Sequence, residues 1–258
     1  MAGRGRKRSH FKLKNDFFAI YDALLAGIDG DEPIVCRAGR YWSMAETASG
    51  MGLAMHTEGD SIPPMFPAGL DALRLRDAAS AMKSWNFEEA GFGLAAANAF
   101  YNTPARMEAL GCFEPFEKYS TEGLDFTGKT VGLIGHMRGP EGMREKAKAV
   151  YVLERAPQPG DYPDSACDLL LPQCDIVLIT GSSLVNKTLP HLLELCRDAY
   201  TIVTGPSVPM CPALLECGID RLAGLVVDDR DGIRGHVLES RRGHPYGYGR
   251  PFLLRRDA

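Results

Sequence analysis

The chain has 258 residues, of which 45% are hydrophobic and 24% charged, with a formal net charge of −4. That composition is ordinary for a globular protein and long enough for two modest domains. No run approaches the ~20 consecutive apolar residues of a membrane-spanning helix, and the basic start MAGRGRKRSHFKLK is followed by no apolar stretch of signal-peptide type, so a cytoplasmic protein without membrane partners is expected.

The charge is uneven. Arg4, Arg6, Lys7, Arg8, Lys12 and Lys14 place six positive charges in residues 1–14 with no acid among them, so a total of −4 leaves −10 on the remainder. Residues 1–14 read as a solvated, disordered arm. The acidic remainder argues against nucleic acid as a partner, which would need a basic folded surface as well. Seven cysteines without a CxxC pair argue against a disulfide scaffold and against a structural zinc site. Cys174 and Cys196 fall in apolar stretches and read as core thiols.

In the first half, Phe17, Phe18, Ile20, Tyr21, Leu24 and Leu25 recur at helical spacing between Asp16 and Ile28. EPIVCRAGRYWSMAE then predicts two antiparallel strands across a glycine-containing turn, and MGLAMHT a third. Three prolines between Ser61 and Pro67 exclude regular structure. Helices are expected near Gly69–Lys83 and Gly91–Tyr101, with a stop imposed by Pro104. Together these make an α+β N-terminal domain over residues 15–115.

Residues 116–258 change rhythm. KTVGLIG, VYVLE, DIVLIT, AYTIVTG and LAGLVVDD are continuously apolar strands, separated by the helical stretches PEGMREKAKA, Asp164–Leu171, TLPHLLELC and PALLECG. Unbroken apolar strands are buried on both faces, as in a parallel sheet. Their alternation with helices predicts an α/β, Rossmann-like, doubly wound, mostly parallel sheet.

In such a sheet ligands bind beyond the carboxyl ends of the strands. The first end carries Gly135-His136-Met137-Arg138-Gly139. The third carries Thr180-Gly181-Ser182-Ser183 and continues through Asn186 and Thr188, and the fourth carries Gly205-Pro206-Ser207. Each loop has a glycine for close backbone approach and hydroxyls or amides for a polar ligand. Gly132, Gly135 and Gly139 space as GxxGxxxG rather than the dinucleotide fingerprint GxGxxG, although Glu154 stands where a ribose-binding acid would, and the helix start at Pro140-Glu141 offers free N–H groups to an anion.

His136 reads either as a ligand or proton carrier or as a histidine that shapes its loop through backbone hydrogen bonds. Asp164 is either a helix cap or a carboxylate facing the cleft as base or cation ligand. Thr188 is a cap or a ligand contact, and Asn186 a ligand contact. His191 reads as a surface residue. Asn98 and Asn102, four apart and so ~40° apart around a helix, face one neighbour. They either reach into an interdomain cleft or, for Asn102, end the helix before Thr103-Pro104.

GLAAANAFYN, VGLIGHM and the block from YPDSACDLLL through TGSSLVNKT to TGPSVPMCPALLECGID resemble a family of unknown function described as "putative heavy-metal chelation". The resemblance covers nearly the whole chain after Phe11. It implies an N-terminal domain like the N-terminus of enolase, a Rossmann-like C-terminal domain and an active site between them. By position it points to Asn98, Gly135, His136, Asp164, Thr180, Gly181, Asn186 and the Gly205-Pro206-Ser207 turn.

The family's cofactor would be a divalent or heavy metal ion. Motif residues that are mostly amides, hydroxyls and glycines suit an oxygen-rich or organic ligand better than a soft metal held by thiolates. The leading expectation is therefore a protein, enzymatic or not, that takes a small molecule or metal chelate between its domains, compatible with homo-oligomerisation. Two alternatives are an enzyme using NAD(P) or S-adenosylmethionine, and a non-catalytic protein that sequesters metal on Cys, His and Met.

Overall fold

The computed structural model describes residues 17–112, 121–137 and 142–256. The basic arm of residues 1–14 lies outside them. Helix α1 (Ala19–Ala26) leads into three antiparallel strands in the order β1 (Val35–Ala38), β2 (Trp42–Glu46), β3 (Met51–Met55). Then come α2 (Leu75–Ser80), α3 (Phe87–Tyr101) and α4 (Pro104–Ala109). Helix α3 starts four residues before the expected Gly91, because Asn86 caps it by accepting from the Glu89 N–H at 3.0 Å. Pro104 does more than end α3. It occupies the first turn of α4 behind the cap Thr103, where its missing N–H costs nothing.

The second sheet has seven strands. These are β4 (Thr130–Ile134), β5 (Ala149–Glu154), β6 (Tyr162–Pro163), β7 (Ile176–Thr180), β8 (Tyr200–Thr204), β9 (Arg221–Val227) and β10 (Gly249–Arg255), in the order β10-β9-β8-β7-β4-β5-β6. All pair in parallel except β10, which runs antiparallel to β9. The intervening helices are α5 (Met143–Lys146), α6 (Cys167–Leu170), α7 (Leu189–Leu195), α8 (Pro212–Glu216) and α9 (Arg230–Leu238). All five expected strands are present. The short β6, helix α9 and the antiparallel edge strand β10 were not expected. No helix among the described residues is long and apolar enough to cross a membrane.

The small sheet is covered on both faces at β2 and β3, while β1 exposes Val35 and Arg37 on one face. Strand β2 is buried along both sides. On one side Gly52 lies so close to α3 that a Cβ there would stand 2.2 Å from the Ala95 carbonyl oxygen and the Ala99 nitrogen. On the other, Trp42, Met44, Met51 and Leu53 form one cluster with Leu225, Ile233 and Val237 from β9 and α9. Each such buried side chain contributes about 1.5–3 kcal/mol. Arg234 of α9 grips Glu46 with two hydrogen bonds, Nε at 2.9 Å and Nη2 at 2.5 Å, and Arg230 donates to the carbonyls of Thr47 and Ala48.

Asn102, the C-terminal cap of α3, is a buried polar link between the halves. It is 2% exposed. Its Nδ2 donates to the Val208 carbonyl (2.9 Å) and the Leu225 carbonyl (3.2 Å), while its Oδ1 accepts from the Met210 N–H at 2.9 Å. Asn98 is fully buried one turn earlier and donates to the Leu53 carbonyl at 2.7 Å. Replacing Asn102 with Ala leaves two carbonyls and an N–H unpaired in the interior, each at about 1–3 kcal/mol. We expect Asn102→Ala to lose about 3 kcal/mol or more in urea unfolding, with fluorescence and circular dichroism transitions displaced together; a loss below about 1 kcal/mol would show that water replaces the amide.

Candidate functional site

The carboxyl ends of β4, β7 and β8 and the end of β3 surround one cleft of about 1430 Å³. That exceeds the ~300–1000 Å³ common for small-molecule sites. It opens at the topological switch point, where β4 and β7 lie side by side while β4 leads on to β5 and β7 to β8. The small sheet roofs it with Trp42, Met55, His56 and Thr57.

Gly135 and His136 line the floor, Gly135 with φ 99°, a left-handed value that favours glycine. Gly139 and the helix start at Pro140-Glu141 lie outside the described residues. The His136 N–H donates to Glu154 Oε1 at 2.7 Å, and Nδ1 of the ring stands 3.0 Å from the same oxygen. Its Nε2 lies 2.5 Å from Asp161 Oδ2. The Gln158 N–H donated to Asp161 at 2.8 Å, and then the His136 ring, hold this carboxyl below the usual range. Carboxylates therefore occupy both ring nitrogens, on opposite edges, and the three groups do not converge on a common point. Among the described residues no group of three or more His, Cys, Asp or Glu side chains is placed to hold a metal ion.

Glu154 is equally engaged. Its second oxygen accepts from the Arg155 N–H at 3.2 Å, leaving it poorly placed for a ribose.

At the end of β7, Thr180 Oγ1 accepts from the Ser182 N–H at 3.4 Å and pairs with Ser182 Oγ at 3.0 Å. Gly181 is buried against Val208, whose Cγ2 a Cβ would approach to 2.7 Å. Asn186 Oδ1 accepts from both the Thr188 N–H (3.2 Å) and the Thr188 hydroxyl (2.7 Å). Thr188 stands before α7 but makes no side-chain capping bond, since its backbone is already helical (φ −84°, ψ −21°) and its hydroxyl is spent on Asn186. Beyond β8, Gly205, Pro206 and Ser207 line the cleft, and Ser207 Oγ accepts from the Met55 N–H at 2.8 Å.

Asp164 lines the rim as the first residue of a single 3-10 turn (Asp164–Ala166), where Pro163 holds the cap position. The cleft thus gathers His136, Asp164, Gly135, Thr180, Gly181, Ser182, Asn186, Thr188, Gly205, Pro206 and Ser207. Asn98 and Asn102 are not among its lining residues. Asn102 spends its amide on the backbone of Val208, Leu225 and Met210, and Asn98 spends its Nδ2 on the Leu53 carbonyl, while Asn98 Oδ1 has no hydrogen-bond partner among the described residues.

Several lining residues escaped sequence reasoning. His56 and Thr57 follow β3, and the strand-end logic applied to the parallel sheet would have found them. Arg144 and Arg155 lie near the first two loops. His244, Tyr246 and Arg250 come from the unexpected C-terminal strand and the turn before it. His191 sits at the rim, half exposed, 3.1 Å from Asp168. The cysteines are buried, apart from the half-buried Cys112. Burial pushes Cys36 up to about 12 and Cys167, Cys174 and Cys217 up to about 11, which disfavours the thiolate a soft metal binds.

A mostly parallel seven-stranded sheet whose switch point is roofed by a small antiparallel sheet defines the chain as a mixed α/β protein with an open cleft between the two sheets. Two family profiles, both described as "Putative heavy-metal chelation", match residues 123–249 (DUF364) and 21–101 (DUF4213). The chain belongs to the DUF364 family. A crystal structure of a DUF364 protein of unknown function from Desulfitobacterium hafniense is 33% identical, with a TM-score of 0.82 over 96% of this chain and 100% of that one. Another, from Pyrococcus horikoshii and also of unknown function, shares the fold at 20% identity, with a TM-score of 0.72 over 93% of this chain and 99% of that one. An uncharacterized protein of Methanocaldococcus jannaschii is 29% identical over 155 residues; the match spans 57% of this chain and 58% of that relative's length.

Between Asn186 and Thr188, Lys187 turns inward with φ 66°, a conformation that costs a non-glycine residue about 1–2 kcal/mol. Its Nζ donates to the Val185 carbonyl at 2.8 Å and lies over the rings of Tyr21 and Phe87. Burial pushes its amine down to about 7. The unfolded chain keeps an ordinary lysine value near ~10.4. Between these values the unfolded state holds a proton that the folded state lacks, so this residue makes stability rise with pH, by at most about 1.4 kcal/mol per unit. We expect Lys187→Met to be most stabilised relative to wild type at pH 7 and below, with the gap closing towards pH 10. Denaturant unfolding at three pH values reads this directly, and a constant gap would mean the folded amine is charged throughout.

Proposed function

We propose that the protein binds a small, oxygen-rich organic molecule, free or as the chelate of a divalent or heavy metal ion, in the cleft between the parallel sheet and its roof. The observation behind this reading is the donor set. Hydroxyls, the Asn186 amide and arginines face a space far larger than one ion, while the imidazole and carboxylates nearest the switch point are already paired with one another. Such walls complement the organic shell of a chelate better than a bare soft cation, which favours converging thiolates or imidazoles. The family descriptions of heavy-metal chelation agree in kind.

In this reading His136 braces the β4 and β5 loops as the floor of the site, Asp164 guards the rim, and the metal is cargo. The absence of any membrane-length apolar helix among the described residues fits a cytoplasmic setting. The strand order also favours a nucleotide as a second reading, but the engagement of Glu154 weighs against a ribose there.

Calorimetric titration with Fe(III) and Zn(II), each as the aquo ion and as the citrate complex, tests the proposal. We expect the citrate complexes to bind with 1:1 stoichiometry and the aquo ions not to. His136→Ala is expected to weaken binding by roughly tenfold through loss of the loop brace, about 1.4 kcal/mol. Stoichiometric capture of the aquo ions with indifference to the complexes would overturn it in favour of direct metal sequestration.

A further inference from the structure

Ser183 is 1% exposed and lines the cleft, yet its hydroxyl has no hydrogen-bond partner among the described residues. Buried hydroxyls are almost always paired, and an orphan one lowers stability. Three residues further along the same turn, the Asn186 amide is fixed in orientation, because its Oδ1 already accepts from the N–H and the hydroxyl of Thr188. Its NH₂ is left as the group available to a ligand, and it can only donate.

Most charges lining the cleft are paired: Glu154 and Asp161 share His136, Asp168 lies against His191, and Arg250 is held by Asp228 at 2.7 and 2.8 Å, while Asp164 stays at the rim. Arg155, also lining the cleft, makes no side-chain ion pair among the described residues. We propose that Ser183 and Asn186 form an oxyanion subsite, which takes a carboxylate or phosphate oxygen of the cleft's ligand and sets its orientation. The two hydroxyl and amide donors meet the oxygen directly, and Arg155 supplies the compensating charge. This inference rests on the cleft being the binding site.

The test compares full-length wild type, Ser183→Ala and Asn186→Asp, with citrate and inorganic phosphate as separate probes and aquo Zn(II) as a cationic control. Ser183→Ala is expected to melt at or above the wild-type temperature, because it removes an unpaired buried hydroxyl. It should nonetheless bind the preferred oxyanion roughly tenfold more weakly, and Asn186→Asp, which sets a carboxylate against an anion, weaker still. Which of citrate and phosphate shows the effect identifies the source of the oxygen.

If Ser183→Ala melts lower, the hydroxyl has a structural partner and the subsite is refuted. Undiminished binding of both probes by the two variants also refutes it while leaving the cleft reading intact. Failure of the wild type to bind either probe, with citrate chelates still bound, confines the refutation to the subsite; failure with every probe removes the cleft reading as well.

Discussion

The side chain of Asn102 sits where the two halves of the molecule touch, and the geometry of the cleft follows from how it is satisfied. An amide buried without partners would be strongly destabilising, so burial at the end of α3 requires the loop beyond β8 to present a carbonyl, an N–H and a neighbouring β9 carbonyl to it. Val208, Met210 and Leu225 do so. On the far side of the same loop, Ser207 accepts from Met55 at the end of β3. One cleft wall is thereby pinned to the roof at two ends, and the space between them is largely formed before any ligand arrives. A preformed site saves the ordering cost that a loose one would incur on binding.

Polarity within the cleft is governed by a second economy. The residues with the richest chemistry, His136, Glu154 and Asp161, are paired with one another, and the cleft groups without an ion pair among the described residues include neutral donors, Arg155 and, at the rim, Asp164. A histidine at a strand end invites a catalytic reading; here both ring nitrogens lie against carboxylates, Glu154 after β5 and Asp161 beyond it, an arrangement that ties adjacent loops together. The chemistry proposed for the cleft is recognition of oxygen atoms.

Much of this was legible in the residues. Unbroken apolar runs such as DIVLIT announce a strand buried on both faces, and the strand-end rule then points to ten of the eleven cleft residues named above, Asp164 being the exception. What was missed has physical causes. Arg250 and Tyr246 lie on or next to an antiparallel edge strand whose sequence, GRPFLLR, interrupts its apolar pattern with a proline and two arginines. Helix α9 is capped by Asp229 but contains two glycines, which weaken the helical signal. Asn98 and Asn102 stand out in the sequence as amides costly to bury unpaired. Nothing in a one-dimensional pattern says whether their partners are backbone groups or a ligand; here the partners of Asn102 and of the Asn98 Nδ2 are backbone groups.

The small sheet, enclosed by α3 on one side and by α9 on the other, bears on how the gene can be divided. Sequence comparison cuts the chain into two segments, residues 21–101 and 123–249, yet the apolar seam of Trp42, Met44, Met51 and Leu53 closes only when the later segment is present. Separated, the first segment would present that seam to water as a sticky surface. The two segments are therefore heritable as modules on paper but are inseparable as folding partners, and loss of either one strands the other.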